Sequence, residues 1–441
     1  MQPTAFTYDV HNIGVNVAGL MTANLIQRRV TNVGKATRVM VPGRCRGDLA
    51  TLSQHYAVPV DRGPEELKDL PEFFGKKKKH ADLSRHDVKI FAEIVDAAQI
   101  DIDSIIKRAE RYRNDGADVI DLGCLPDTNF GHLEDAIAAL KQAGYAVSVD
   151  SVDTKELLRG GRAGADYLLS LNEDTLWIAD EVAATPILIP RQPSDSESLY
   201  RAINTLQKSN RKFIADAILD PIHFGFTQSI VRYHALRARY PDIDIMMGVG
   251  NITELTDADT SGMNALLFGM ISELRIGAVL TTEVSPHARR AVREADAARR
   301  MMFAAREDTS LPKDYSDALL TTHEKKPFPD SGAEIRAIAA AIKDPSFRVQ
   351  VSDEGIHVYN RDGINTAPDP FDLFPSLNLD NDGSHAFYMG VELARAQIAW
   401  QLGKRYTQDQ ELNWGAAVEK KNVDQSAHHA MGTTMQAKKK S

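Results

Sequence analysis

A closed (β/α)8 barrel carried between two smaller domains is the fold this sequence predicts. Three observations point to it. Eight short apolar runs recur at 89–96 (KIFAEIVD), 118–121 (DVID), 146–150 (AVSVD), 167–172 (YLLSLN), 187–191 (ILIPR), 213–220 (FIADAILD), 245–251 (IMMGVGN) and 276–283 (IGAVLTTE). The stretches between them, such as IDSIIKRAERYRNDG and HLEDAIAALKQAG, carry apolar residues at helical spacing. Eight strand–helix units in roughly 200 residues suit a parallel sheet that closes on itself. A barrel sets the C-terminal ends of all its strands on one face, where sites are built. The polar residues that end the runs are Asp96, Asp121, Asp150, Asn172, Arg191, Asp220, Asn251 and Glu283. They are expected around one cavity.

Ahead of the barrel, residues 1–80 read as a small α/β domain. An apolar segment at 11–17 precedes a helical AGLMTANLIQRR, then ATRVMVPG, the helical RGDLATLSQHY and a short VPV. Gly-Arg-Cys-Arg-Gly at 43–47 falls between a strand and a helix, where amides and arginines can hold an anion. A plain glycine turn with solvated arginines is the alternative. The lysines at 76–79 form a charge run that reads as a domain boundary, with an anion contact as the second reading. The barrel spans 81–310, its last helix being HARRAVREADAARRMMFAARE.

A Pro-, Ser- and charge-rich linker follows at 311–335. Residues 336–420 read as an α+β domain. FRVQVS-DEG-IHVYN forms a hairpin with glycine at its turn, and SHAFYMGVELARAQIAWQLGKRY has helical periodicity. Residues 421–441, with His428, His429 and a terminal lysine run, read as a disordered tail.

Composition narrows the function classes. The 441 residues are 43% hydrophobic and 26% charged, with a net charge of −9. That balance suits a soluble protein and argues against a general nucleic-acid binder, whose footprint is basic. No apolar stretch approaches the ~20 residues that span a bilayer. MQPTAFTYDV lacks the pattern of a secretory signal, so a cytoplasmic location is expected. The two cysteines, Cys45 and Cys124, are too few for a disulfide framework or a cysteine-only zinc site and read as reduced thiols.

Aspartates gathered at one mouth can bind a hard cation, act as bases, or accept hydrogen bonds from a donor-rich heterocycle. Oxygen ligands without a His/Cys cluster favour magnesium over zinc. A 2-amino-4-oxo-pteridine instead offers adjacent N–H donors that one buried carboxylate can accept together. The mixture of Asp and Asn fits the heterocycle better than a dedicated metal cage, and no residue is assigned as a metal ligand. Capping of the following helix is the competing role for any single strand-end aspartate.

Particular segments then carry a resemblance. GADVIDLG (116–123), AVSVDSVDTKELLRGGRAGADYLLSLNED (146–174) and ILDPIHFG (218–225) resemble dihydropteroate synthase, a pterin-binding TIM barrel. MMGVGNIT (246–253) and AEIVD (92–96) are similar to segments of the methyltetrahydrofolate:corrinoid methyltransferases in the same wider group. PGRCRGDL (42–49), RGPEELKDLPEFFG (62–75) and SHAFYMGVELARAQIAWQLGKRYTQDQELNWG (384–415) resemble the dihydropteroate synthase-related proteins of methanogens and tetrahydromethanopterin-using methylotrophs.

That resemblance implies a pterin substrate contacted by Asp121, Asp150, Asn172 and Asp220, with Asp96 and Asn251 as further contacts. It implies a transferase of tetrahydromethanopterin biosynthesis joining a 6-hydroxymethyl-dihydropterin diphosphate to a ribofuranosyl-aminobenzene phosphate. In that reading Asp96 or Asp150 stabilises charge on the ring, and Arg191 with Mg2+ assists the departing diphosphate. A homodimer and association with other pathway enzymes are expected on the same ground.

The chain also departs from the synthase pattern. Phe226 follows Gly225 where a synthase has lysine, and Gly250-Asn251-Ile252-Thr253 stands in place of Ser-Arg-Lys. No Arg-x-His follows the eighth run, although His287, Arg289 and Arg290 lie beyond it either as substitutes or as helix-surface charge. Two other readings therefore stand beside the transferase. One is a methyltransferase-like barrel in which Asn251 meets the pterin N5 and a corrinoid protein is the partner. The other is a non-catalytic pterin-binding scaffold.

Overall fold

The computed structural model describes residues 6–15, 20–64, 69–75, 82–125 and 128–419. The lysine run at 76–79 and the segment 421–441 lie outside the described residues. The chain divides into two compact units, Met1–Asp82 and Leu83–Ser441.

The first unit is built from α1 (Ala23–Arg29), β1 (Val39–Val41), α2 (Leu49–Tyr56), β2 (Val60–Arg62) and α3 (Leu70–Phe73). Thr22 and Asp48 cap α1 and α2 by accepting the backbone N–H groups of Leu25 and Ala50. Strands β1 and β2 pair in parallel over a small core of Ala23, Ile26, Val41, Cys45, Leu52 and Val60. In the 43–47 turn, Arg62 donates to the carbonyl oxygens of Cys45 (2.9 Å) and Gly47 (2.6 Å), so this arginine holds the turn from within.

The second unit begins with the barrel. Its strands are β3 (Lys89–Ile94), β4 (Val119–Gly123), β5 (Ala146–Asp150), β6 (Tyr167–Leu171), β7 (Thr185–Leu188), β8 (Ile214–Asp216), β9 (Asp244–Gly248) and β10 (Ala278–Thr282). All eight run parallel, and β10 pairs back onto β3 to close the ring. Helices α4 (Ile102–Asn114), α5 (Leu133–Gln142), α6 (Thr154–Arg162), α7 (Trp177–Glu181), α8 (Ser196–Lys208) and α9 (Phe226–Arg239) follow β3 to β8 in turn. Then α10 (Gly250–Thr253) and α11 (Thr260–Glu273) follow β9, and α12 (Ala291–Glu307) follows β10. The fold is thus the (β/α)8 barrel the sequence predicts. The strands end earlier than the apolar runs in several places, most of all at β8, which stops at Asp216 rather than Asp220.

Side chains alternate across each strand. One set, including Ile90, Ile120, Val147, Leu188 and Met247, packs outward against the helices. The other set, Phe91, Val119, Leu169, Ile187, Ile214, Met246 and Ala278, plugs the lumen. Two residues further along three of those strands come Glu93, Asp121 and Asp216. A layer of carboxylates therefore lies directly above an apolar plug.

Capping is carried by other aspartates. Asp101, Asp153 and Asp195 accept the backbone N–H groups that start α4, α6 and α8. The strand-end aspartates that precede them are freed from that role.

At the opposite end of the barrel, Arg299 of α12 is almost wholly buried. It pairs with Asp118 and Asp296 and donates to the carbonyl oxygens of Val88 (2.6 Å) and Gly116 (2.8 Å). These bonds lock the last helix to the first two strands.

The rest of the unit contains α13 (Gly332–Ala340), an antiparallel sheet of β11 (Arg348–Ser352), β12 (Gly355–Asn360) and β13 (Gly363–Ala367), then α14 (Pro370–Leu373) and α15 (Gly383–Leu402). Helix α15 contributes Met389, Leu393, Ala396 and Ala399 to the core it shares with Val349, Val351, Ile356 and Val358 of the sheet. The hairpin is the one the sequence predicts. Strand β13 was not anticipated, since GINTA is mostly exposed and has no apolar alternation. Among the described residues no helix is long and apolar enough to cross a membrane.

Substituting Arg299 by alanine leaves Asp118 unpaired at the base of the barrel. Arg299 is buried but the Asp118 side chain is 32% exposed, so the loss falls chiefly on the hydrogen bonds to the Val88 and Gly116 carbonyls, each of about 1.5–3 kcal/mol for a charged donor. The expected outcome is a clear drop in the urea midpoint of the Arg299→Ala protein.

Candidate functional site

The carboxylate layer is the feature the barrel builds most deliberately. Glu93, Asp121 and Asp150, from three adjacent strands, each place an oxygen within 4.8 Å of the others. Asp121 is fully buried. Its Oδ1 accepts a hydrogen bond from the Ser148 hydroxyl, while its Oδ2 has no partner.

The neighbouring backbone is shaped around this group. A side chain at Gly123 would put its Cβ 2.6 Å from the Glu93 carboxylate and 3.1 Å from Val95 Cα, so the bare glycine lets Glu93 keep its place. Ser170 donates to Asp150 Oδ1 at 2.7 Å from a backbone with φ of 72°. The β6–β7 register shifts at the same place, between Leu168 and Leu171, and this irregularity re-aims a side chain as β-bulges do.

A fourth carboxylate, Asp216, ends β8. Its Oδ1 accepts the Tyr233 hydroxyl at 2.5 Å and the Ile218 N–H at 2.7 Å. Ile218 sits at φ 64°, a strained conformation for a β-branched residue. Tyr233, wholly buried on α9, fixes the carboxylate from behind.

These acids lack ion-pair partners, although Arg232 acts on Asp216 from a distance. Among the described residues no ion pair reaches Glu93, Asp121, Asp150 or Asp216; the nearby basic groups are engaged elsewhere. Burial lifts Glu93 to about 7, with Asp150 and Glu254 adding repulsion. Burial, then Asp150 and Glu93, pushes Asp121 well above the carboxylate range, against the lowering effect of Ser148. Burial raises Asp150 despite its bond from Ser170. Asp216 is lifted to about 6, again chiefly by burial, with Asp150 contributing. Glu254 is itself held by Thr282 Oγ1 (3.0 Å) and the backbone N–H groups of Val284 (2.9 Å) and Ser285 (2.7 Å).

The remaining residues expected at this face are placed differently. Asp96, two residues past β3, pairs with Arg108 of α4. The Asn172 side chain accepts the Asp174 N–H at 3.0 Å. Arg191 is bound by Glu173 (2.9 Å) and Asp174. Asp220 pairs with Arg232 at 2.7 Å and lies close against Gly225, whose φ is 127°. Asn251 is exposed and donates to the Leu219 carbonyl at 2.7 Å. Glu283 is buried against Arg111 (2.5 Å), and burial lifts it to about 7 in spite of that arginine. His287 contacts the Thr253 carbonyl at 3.0 Å, and Arg290 lies 3.7 Å from Asp115.

So the structure brings Asp121 and Asp150 together in the lumen and turns the other named residues toward neighbouring loops and helices. Glu93, Asp216, Ser148 and Ser170 were not picked out from the sequence. Counting two residues onward from the inward-facing Phe91 and Ile214 reaches the first two. Chemically, the layer can hold a hard cation through carboxylate oxygens, or accept several N–H donors from a planar ligand. The orphaned Asp121 Oδ2 fits either.

Comparison with known proteins adds the following. Residues 1–65 match a family described as a family of unknown function (DUF6513). An uncharacterized protein of Methanocaldococcus jannaschii is 26% identical over 92% of this chain and 94% of its own. Similar solved structures include the 7,8-dihydropteroate synthase of Vibrio fischeri, 14% identical, covering 51% of this chain and 95% of that one with a TM-score of 0.40. A Coxiella burnetii dihydropteroate synthase in complex with pteroic acid is 15% identical over 51% of this chain and 95% of its own, with a TM-score of 0.41. The strand pairing of this chain by itself closes the eight-stranded barrel.

Asp216 supplies a pH-dependent expectation. Its pKa is higher folded than unfolded, so the stability its protonated form contributes is fully present below about 4. That contribution is lost as pH rises through about 6. In Asp216→Asn the amide oxygen can still accept from Tyr233 and Ile218. Its Tm relative to wild type should therefore climb between pH 4 and pH 7, by a few degrees. A flat difference across that range would show that Asp216 is not a strained, buried acid.

Proposed function

We propose that this chain binds a pterin in the barrel lumen and joins the pterin's exocyclic methylene carbon to the nitrogen of an arylamine. The observation that carries the reading is the unpartnered, fully buried Oδ2 of Asp121 within a layer of acceptors. An amino-oxo-pteridine ring presents neighbouring N–H donors, and a carboxylate can take two of them at once. A ring without those donors would leave the acids unsatisfied, which is a strong basis for selectivity. The motif resemblance of 116–123, 146–174 and 218–225 points to the same ligand.

The finer form of the proposal is a step of tetrahydromethanopterin biosynthesis. The amine nitrogen of a ribofuranosyl-aminobenzene phosphate attacks the exocyclic carbon of a 6-hydroxymethyl-dihydropterin diphosphate. The carbon–oxygen bond to diphosphate breaks, diphosphate leaves, and the amine gives up a proton. Asp121 orients the ring, and Asp150 faces the positive charge that grows on it as the leaving group departs. Asp96 is tied to Arg108, so the stabilising role falls to Asp150. Glu93, lifted to about 7, suits proton acceptance near neutral pH. Magnesium carried with the diphosphate supplies the charge neutralisation that its leaving oxygens need. Arg191, held by Glu173 and Asp174, orders the loop after β6.

Two measurements test this. Purified full-length protein given both substrates should release diphosphate; no release with or without magnesium contradicts the transfer step. In calorimetry, 6-hydroxymethylpterin should bind the wild type, and Asp121→Asn should weaken binding by about 1–3 kcal/mol. Equal affinity for the two proteins would remove the ring from this site.

A further inference from the structure

We propose that Glu93, Asp121 and Asp150 also form a divalent-cation site, suited to Mg2+ or Mn2+ and filled when no organic ligand occupies the lumen. Two independent observations support it. Three carboxylates from adjacent strands bring an oxygen each to within 4.8 Å of one another, a spacing compatible with one ion bound between them. Separately, Asp121 is wholly buried, yet its Oδ2 has no hydrogen-bond donor. A buried carboxyl oxygen without a hydrogen-bond partner is uncommon in folded proteins and marks a place where a bound group can satisfy it.

The donor set defines the class of ion. All three ligands are hard oxygens, which suit Mg2+ and Mn2+, and the group contains no imidazole or thiolate to favour zinc. Cys124 lies one residue beyond β4 and is outside the group of three acids. The supporting shell is in place: Ser148 holds the other oxygen of Asp121, and Ser170 holds Asp150. Such partners orient ligating carboxylates. Gly123 keeps the space that Glu93 needs to reach the group.

A cation and a pterin ring would draw on the same Asp121 oxygen, so one excludes the other. The cation site stands on the geometry of the three acids and does not require that the organic ligand be a pterin.

The direct test is Mn2+ titration of the full-length protein followed by electron paramagnetic resonance, without any pterin. One site per chain is expected. Asp121→Asn should weaken it at least about tenfold, while Asp353→Asn, on the exposed hairpin turn, should leave it unchanged. Circular dichroism verifies that both variants are folded. Absence of a Mn2+ site, or a site that survives in Asp121→Asn, overturns the proposal and leaves pterin binding untouched. Adding 6-hydroxymethylpterin to the loaded protein should release Mn2+. Retention of Mn2+ with the pterin bound would refute the shared site.

Discussion

Carboxylates that no basic side chain neutralises, set inside a closed barrel, are the constraint around which the rest of this site is arranged. Like charges at this spacing repel one another, and burial removes the water that would screen them. The chain answers with local devices. It leaves Gly123 bare beside Glu93, shifts the register of β6 so that Ser170 reaches Asp150, and accepts strain at Ile218 to hold Asp216. Strain of this kind persists where surrounding structure enforces it, and it gathers at functional sites. The four acids stand on rigid strand ends rather than on mobile loops.

The basic residues follow the opposite rule. Arg108, Arg111 and Arg232 each bind an acid on a strand-following segment, and Arg299 binds Asp118, just ahead of β4, at the far end of the barrel. These pairs join helices to strands and fix the barrel wall. Charge is thereby sorted by depth: ion pairs surround the barrel, and acceptors without cations occupy its lumen. A ligand that brings donors or positive charge gains from that sorting, because it relieves the repulsion among the acids. The missing basic residues of a synthase, visible already at Phe226 and at 250–253, belong to the same pattern.

The barrel was legible because strand and helix periodicities alternate cleanly from 89 to 283. The polar residue ending each run was a poorer guide to the site. Asp121 and Asp150 lie within their strands and face inward, whereas Asp96, Arg191 and Asp220 lie past the strand ends, where the chain has already turned toward its helix. Which face of a strand points into the lumen is a tertiary property, set by the plug of Phe91, Val119 and Ile214. Glu93 and Asp216 became identifiable only once that plug was known. Asp220, a pterin contact by motif, pairs through its Oδ2 with Arg232, twelve residues along the chain, a partner the motif does not reveal. Capping was legible as a competing role in general, but its carriers, Asp101, Asp153 and Asp195, were not.

The central claim is that a donor-rich ligand draws a proton from the lumen acids, Glu93 above all, which burial lifts to about 7. Calorimetry of 6-hydroxymethylpterin binding at pH 7, in buffers of different ionisation enthalpy, measures this directly. The account predicts net proton release on binding, seen as an apparent enthalpy that varies with the buffer, and loss of that dependence in Glu93→Gln. Binding with no buffer dependence in the wild type would contradict it.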